Sequence, residues 1–211
     1  MWPLFSADPH APKSQRPAAG DVFQIGSLGR LHAHKGYDVL IRALAKLKHE
    51  APALCETFHV TIGGDGPDRQ DFELAAQALG VTNLTFADYQ TDTKPFLAGL
   101  HGYVQPSRVE GLCIAAHEAM QAGLPMIVSE TGEMPRSVQR AGAGFVVEPA
   151  NVSDLAAAIR TLVSNRALAA DMGSAGRDFV NDAYSAAGFR SAGLAIMTTV
   201  GQLAQPTRRS A

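Results

Sequence analysis

The sequence predicts an α/β fold, a mostly parallel sheet of about six strands wrapped on both faces by helices. Three observations carry that expectation. Strand-like runs alternate with helical stretches along the whole of 22–204. The chain is 211 residues long and 46% hydrophobic, enough to bury a core without staples. The polar and glycine-rich turns at 28–36, 63–67, 88–92, 106–112 and 129–134 all follow strands. A parallel sheet would gather them on one edge, at the strand carboxyl ends where such sheets bind ligands.

Taken in order, residues 1–21 are rich in Pro and Ala and read as a linker or disordered arm. VFQIGS (22–27) is the first strand, and the polar turn LGRLHAHKG follows it. Residues 37–49 place Val39, Leu40, Ala43, Leu44 and Leu47 at helical spacing. FHVTIG (58–63) is the second strand, ended by GGDGP, and 68–79 is helical with Gly80 as its stop. NLTFA (83–87) is the third strand, with a short helix near 93–100. GYVQ (102–105) is the fourth strand, and a helix over 112–122 follows, stopped by Gly123 with Pro125 beyond. PMIVS (125–129) is the fifth strand, before a short helix at 134–141 and the sixth strand GFVVE (144–148). A helix over 152–164 is capped by Asn151, two more helical stretches cover 166–182 and 187–204, and 205–211 is a frayed tail.

Composition excludes several classes. With 18 basic and 20 acidic residues the net charge is −2, without the basic excess of a nucleic-acid surface. No apolar run is long enough to span a bilayer, and the first twenty residues lack the form of a secretory leader. Cys55 and Cys113 have no metal-like spacing and fit a reducing, cytoplasmic compartment. No G-x-G-x-x-G opens the first helix, so a nicotinamide site is disfavoured.

The chemistry concentrates at 106–123, PSRVEGLCIAAHEAMQAG. A loop entering a helix leaves backbone N–H groups without partners, and those of Gly111, Leu112 and Cys113 form a candidate anion site. Glu110 and Glu118 frame it with seven residues between them, suited to hydroxyls or a developing positive charge. Arg30 and Lys35, after the first strand, read either as two solvated loop charges, the commoner case for an arbitrary loop, or as a planar fork and a mobile point charge able to hold a diphosphate. Cys113 stands at a helix start, a position that can lower a thiol pKa.

An acid, seven residues, a second acid and then A-M-x-x-G-x-P resembles the donor-binding half of the group 1 retaining glycosyltransferases with the GT-B fold. GRLHAHKG resembles that family's G-R-L-x-x-x-K-G signature, and GGDGP its G-x-G-P turn. The likeness covers 22 to about 185 and implies a Rossmann-like domain that binds a nucleotide diphospho-sugar without metal or cofactor. It implies a diphosphate held by Gly29, Arg30, Lys35 and the amides of Gly111, Leu112 and Cys113. Glu118 would hold the ribose and Glu110 would lie beside the sugar, with Arg30, Lys35 and Glu110 as the catalytic set. By the same likeness Cys113 is filler, while His32, His34 and His117 are loop, packing or surface residues.

Three departures stand out. Asp88 replaces the glycine usual after the third strand, and Arg136 takes the place of an acid in TGEMPR. A complete member also has an acceptor-binding domain, which 1–21 is too short to be, so the resemblance implies a partner domain in cis or in trans. The chain alone is then expected to be inactive in transfer, with apolar surface exposed at the site edge. A non-catalytic nucleotide-sugar-binding module or fragment, and a GT-B-related epimerase or phosphorylase, remain as alternatives.

Overall fold

A computed structural model describes residues 20–185, together with residues 7, 8, 14, 17, 18, 188, 190 and 194. Six strands form one sheet: β1 (Phe23–Leu28), β2 (Phe58–Gly63), β3 (Leu84–Ala87), β4 (Gly102–Gln105), β5 (Met126–Ser129) and β6 (Gly144–Val147). Their order is β3-β2-β1-β4-β5-β6 and every pairing is parallel. This is the order of a doubly wound dinucleotide-binding sheet, whose direction of growth reverses between β1 and β4.

Among the described residues the α-helices on the two faces are α1 (Tyr37–Glu50), α2 (Pro52–Cys55), α3 (Arg69–Ala78), α4 (Thr93–Ala98), α5 (Ile114–Gln121), α6 (Met134–Ala141), α7 (Val152–Ser164) and α8 (Arg166–Ala183). The period of two along each strand decides which face a side chain serves. Ile25, Val104 and Ile127 join the core under α1 and α7. Tyr103, Met126 and Val128 join the core under α5, α6 and α8.

The predicted elements are present within a residue or two at their ends, with two exceptions. The helix expected from 112 begins at Ile114, because Cys113 sits in the left-handed region at φ 52 and interrupts the turn. The short helix α2 has no counterpart among the expected elements, and the polar turn after β1 contains a 3₁₀ turn at Ala33–Lys35; three or four residues carry too little periodicity to announce themselves. The helix expected over 187–204, the tail at 205–211 and most of the arm at 1–21 lie outside the described residues. Of the arm's described residues, Ala7 donates its N–H to Tyr184 O at 3.1 Å and Ser14 to Ala122 O at 2.9 Å.

His117 is a packing residue, fully buried between α5 and α8. Its Nδ1 lies 3.1 Å from Cys113 O and its Nε2 lies 3.1 Å from the Tyr184 hydroxyl. A carbonyl accepts only, so Nδ1 carries the proton and Nε2 accepts from tyrosine. Burial lowers its pKa below the ordinary histidine value, and also lowers those of His59 and His101. Above the unfolded value near 6.5 these groups are neutral in both states and cost nothing. Below it the unfolded chain binds protons first, so stability falls with pH and levels off beneath the folded values. Urea unfolding at pH 7.5 and 5.5 should show lower stability at 5.5, with a smaller difference in His117→Gln. An unchanged difference in that variant would remove His117 from the account.

Candidate functional site

β1 and β4 pair only at Ile25–Gly102 and Gly26–Tyr103. Beyond that they part, and two loops leave the gap: 29–36 after β1 and 106–113 after β4. The loops are locked to each other. Gly36 has φ 68, and a Cβ there would stand 2.0 Å from Pro106 O, so only glycine allows the approach. Arg108 donates its N–H to His34 O at 2.7 Å, and its Nη1 reaches Ala33 O at 2.9 Å. Its guanidinium also forks onto Asp38, at the start of α1, through bonds of 2.6 and 2.7 Å. Burial acts to raise the Asp38 carboxyl, but the fork and the charges of Arg108 and Arg42 hold it below its usual value.

That lock brings Lys35 onto Glu110, and the two form an ion pair with side chains 24% and 10% exposed. Ser107 Oγ donates to the same carboxylate oxygen at 2.9 Å. Gly29 lies beside them; a Cβ there would be 3.3 Å from Lys35 Cε. Lysine has three N–H donors, so pairing with Glu110 leaves two for an anion.

Arg30 is exposed and makes no hydrogen bond or ion pair with the described residues. It lines a cavity of about 430 Å³ at the carboxyl ends of β1 and β2, together with Gly29, Gly64, Gln90, Thr93 and Ala115. Glu118 is half-buried on α5, and its carboxylate accepts from Thr93 Oγ1 at 2.9 Å. Thr93 opens α4, so it ties the second acid to the wall of that cavity.

Of the three amides named from sequence, Cys113 stands at the N-cap of α5 while Gly111 and Leu112 lie in the loop before it. That loop is braced from the other side. Gly132 has φ 70 and its Cβ position would be 2.4 Å from Gly111 O, while Glu133 donates its N–H to that oxygen at 3.1 Å. The Cys113 thiol does not show the lowering that a helix start could give. Burial, reinforced by the neighbouring Glu110 charge, pushes it up to about 11.

The GGDGP turn serves the neighbouring loop. A Cβ on Gly64 would lie 2.0 Å from Gly29 O, and one on Gly66 would lie 2.3 Å from Leu31 O. Asp88, in place of glycine, takes an ion pair from Arg69 at 3.2 Å, and the same guanidinium donates to Phe86 O at 3.0 Å. Arg136 stands 3.9 Å from Glu133, both well exposed, a pairing worth little. His32 and His34 stack on each other at 4.7 Å at the surface of the turn. Among the described residues no group of His, Cys, Asp and Glu could hold a metal ion. Tyr89, Val109 and Ile114, beside the cavity and the loop, are 72%, 62% and 43% exposed.

Sequence reasoning missed Thr93, Gln105, Ser107 and Arg108. Ser107 and Arg108 lie inside the motif it singled out; Ser107 reaches Glu110 only three residues on, while nothing local marks the partner of Arg108. Arg108 and Asp38 are 70 residues apart, and Thr93 and Glu118 are 25 apart.

Comparison with known proteins identifies the family and the fold. The family described as glycosyl transferases group 1 matches residues 11–179. The chain is 31% identical over 183 residues to the lipopolysaccharide core biosynthesis glycosyltransferase LpsE of Rhizobium meliloti, covering 82% of this chain and 51% of that protein. It is 32% identical over 188 residues to the GDP-mannose-dependent alpha-(1-6)-phosphatidylinositol monomannoside mannosyltransferase of Mycobacterium tuberculosis, covering 83% and 48%. The chain thus spans about half the length of these relatives. Among solved structures, WaaG, a glycosyltransferase involved in lipopolysaccharide biosynthesis, superposes with a TM-score of 0.71 at 25% identity, over 78% of this chain and 45% of that one. The C-terminal domain of a group 1 family protein, LpcC of Francisella tularensis, shares the fold with a TM-score of 0.68 at 22% identity, over 78% and 87%.

Proposed function

The chain belongs to the group 1 glycosyltransferase family, and from that premise we propose that it is the donor-binding domain of a sugar-transferring enzyme. The donor is a nucleotide diphospho-sugar. The observation that carries this reading is the Lys35–Glu110 pair at the switch point, beside a cavity lined by Arg30 and by the Thr93 that holds Glu118.

In this reading the diphosphate lies on Arg30, the two spare Lys35 donors, Gly29 and the amides at 111–113. Glu118 accepts from the ribose hydroxyls and Glu110 lies at the sugar. As the glycosidic bond breaks, negative charge grows on the leaving β-phosphate. Fixed cations aimed there favour the transition state over the ground state. Metal is not required, because the chain's own cations neutralise the leaving group. Retention of configuration rests on the family resemblance: the acceptor enters from the face the diphosphate leaves. The acceptor is held by a second domain, in cis or in trans. The exposed Tyr89, Val109 and Ile114 suit a surface covered by that domain.

The test is a thermal-shift panel of UDP, GDP, ADP and NAD with and without magnesium. One nucleoside diphosphate should raise Tm whether or not magnesium is present, and NAD should not. The purified chain mixed with donor and acceptor should transfer little sugar. No shift from any nucleoside diphosphate would overturn the donor-site reading, and robust transfer would overturn the need for a second domain.

A further inference from the structure

Where β1 and β4 part, the Leu28 N–H loses a ladder partner on the β4 side. The Tyr103 hydroxyl fills the gap and accepts from it at 3.0 Å. The same hydroxyl lies 3.1 Å from Gln105 Oε1 and 3.3 Å from Leu28 O. Gln105 Nε2 lies 2.9 Å from Ser107 Oγ and 3.5 Å from Glu110 Oε1, and Ser107 Oγ lies 2.9 Å from that oxygen. Tyr103, Gln105 and Ser107 are all buried.

The direction of every proton in this chain follows from the charge at its end. An ionised carboxylate only accepts, so the Ser107 hydroxyl must donate to Glu110. Its lone pair then faces Gln105, which must present its NH₂ group there and its carbonyl to Tyr103. Burial holds the Tyr103 phenol protonated, so it can serve that carbonyl as a donor. Lys35, Ser107 and Gln105 all address Oε1 of Glu110, and none of these bonds falls on Oε2. The Cys113 thiol, a weak donor, also neighbours the carboxylate.

We propose that Gln105, acting through Ser107, is a positioning residue that pins Glu110 by Oε1 and presents Oε2 to a hydroxyl of the donor sugar. This rests on the donor-site reading above. The network serves the sugar's contribution to binding and leaves the nucleotide's contribution alone. Glu118 and Arg30, which address the nucleotide half, take no part in it.

The experiment compares affinities by calorimetry for UDP against UDP-glucose and GDP against GDP-mannose, in the wild-type chain and in Gln105→Met. Methionine keeps the shape and removes both polar ends. Tyr103 then donates to Leu28 O, so no buried hydroxyl is orphaned. Affinity for the nucleoside diphosphate should stay within about twofold, and the nucleotide-sugar should lose about tenfold, the worth of one hydrogen bond to a charged group. Gln105→Glu sets a second carboxylate against Ser107 and should lose more. If Gln105→Met does not fold, Ser107→Ala poses the same question one bond nearer to Glu110. Equal losses for nucleotide and nucleotide-sugar, or no loss for either, would overturn the proposal and leave the donor site standing. A wild-type chain that binds no nucleoside diphosphate would overturn both.

Discussion

Lys35→Ala should remove most of the thermal stabilisation expected from a nucleoside diphosphate in the wild-type chain. Ligand at about one hundred times its Kd stabilises a folded protein by about 2.7 kcal/mol, which for a chain of this size raises Tm by about 5–10 °C. Losing a hydrogen bond to a charged group costs about 1.5–3 kcal/mol. Here the loss is compounded, because the change leaves Glu110, only 10% exposed, facing the phosphates without its cation. A hundredfold loss of affinity puts the same ligand concentration at about one Kd, where the stabilisation is about 0.4 kcal/mol. The unliganded variant is also less stable, since it carries an unpaired, largely buried carboxylate. Lys35→Ala with Glu110→Gln separates the two effects. It should recover unliganded stability and still fail to bind. A Lys35→Ala chain with an undiminished ligand shift would remove Lys35 from the diphosphate site.

Gly36→Ala should cost about 3 kcal/mol or more of folding stability, where an open left-handed position costs about 1–2. The difference is steric. At Gly36 the new Cβ would lie 2.0 Å from Pro106 O and 3.0 Å from Pro106 C, backbone atoms that move only if the whole loop moves. The internal control is Gly142→Ala. Its φ of 63 is nearly the same as the 68 of Gly36, but no atom lies within 4 Å of its Cβ position. Chemical unfolding of the two variants reads out the loop contact as the difference between them. Gly36→Ala should also weaken nucleotide binding, since Lys35 is the adjacent residue and rides on the same turn. Equal costs in the two variants would mean that the 36–106 contact does not brace the site.

Much of this arrangement is written in local sequence. Val39, Leu40, Leu44 and Leu47 announce α1 by spacing alone, and Asn151 announces the start of α7. Its side chain accepts from the N–H groups of Ser153 and Asp154 as the cap pattern requires. The alternation of strands and helices sufficed for the doubly wound sheet, and the rule for such sheets points to the strand carboxyl ends for the candidate site. The acids at 110 and 118 and the cations at 30 and 35 were legible through their spacing and the family they resemble.

Tertiary structure alone decided how those residues are used. That Lys35 spends one donor on Glu110, 75 residues away, depends on Arg108 drawing the 33–38 turn onto the β4 loop. That Glu118 leans on Thr93 depends on α4 being laid beside α5. The start of α5 at Ile114 depends on Cys113 turning left-handed in a loop braced by Gly132. The physical reason is the range of the interactions. Periodicity, caps and turn residues act over a few positions and are visible in a single stretch of chain. A parallel sheet joins strands through long crossovers, so the partners of its carboxyl-end loops are set by strand order, and strand order is chosen only when the whole core packs.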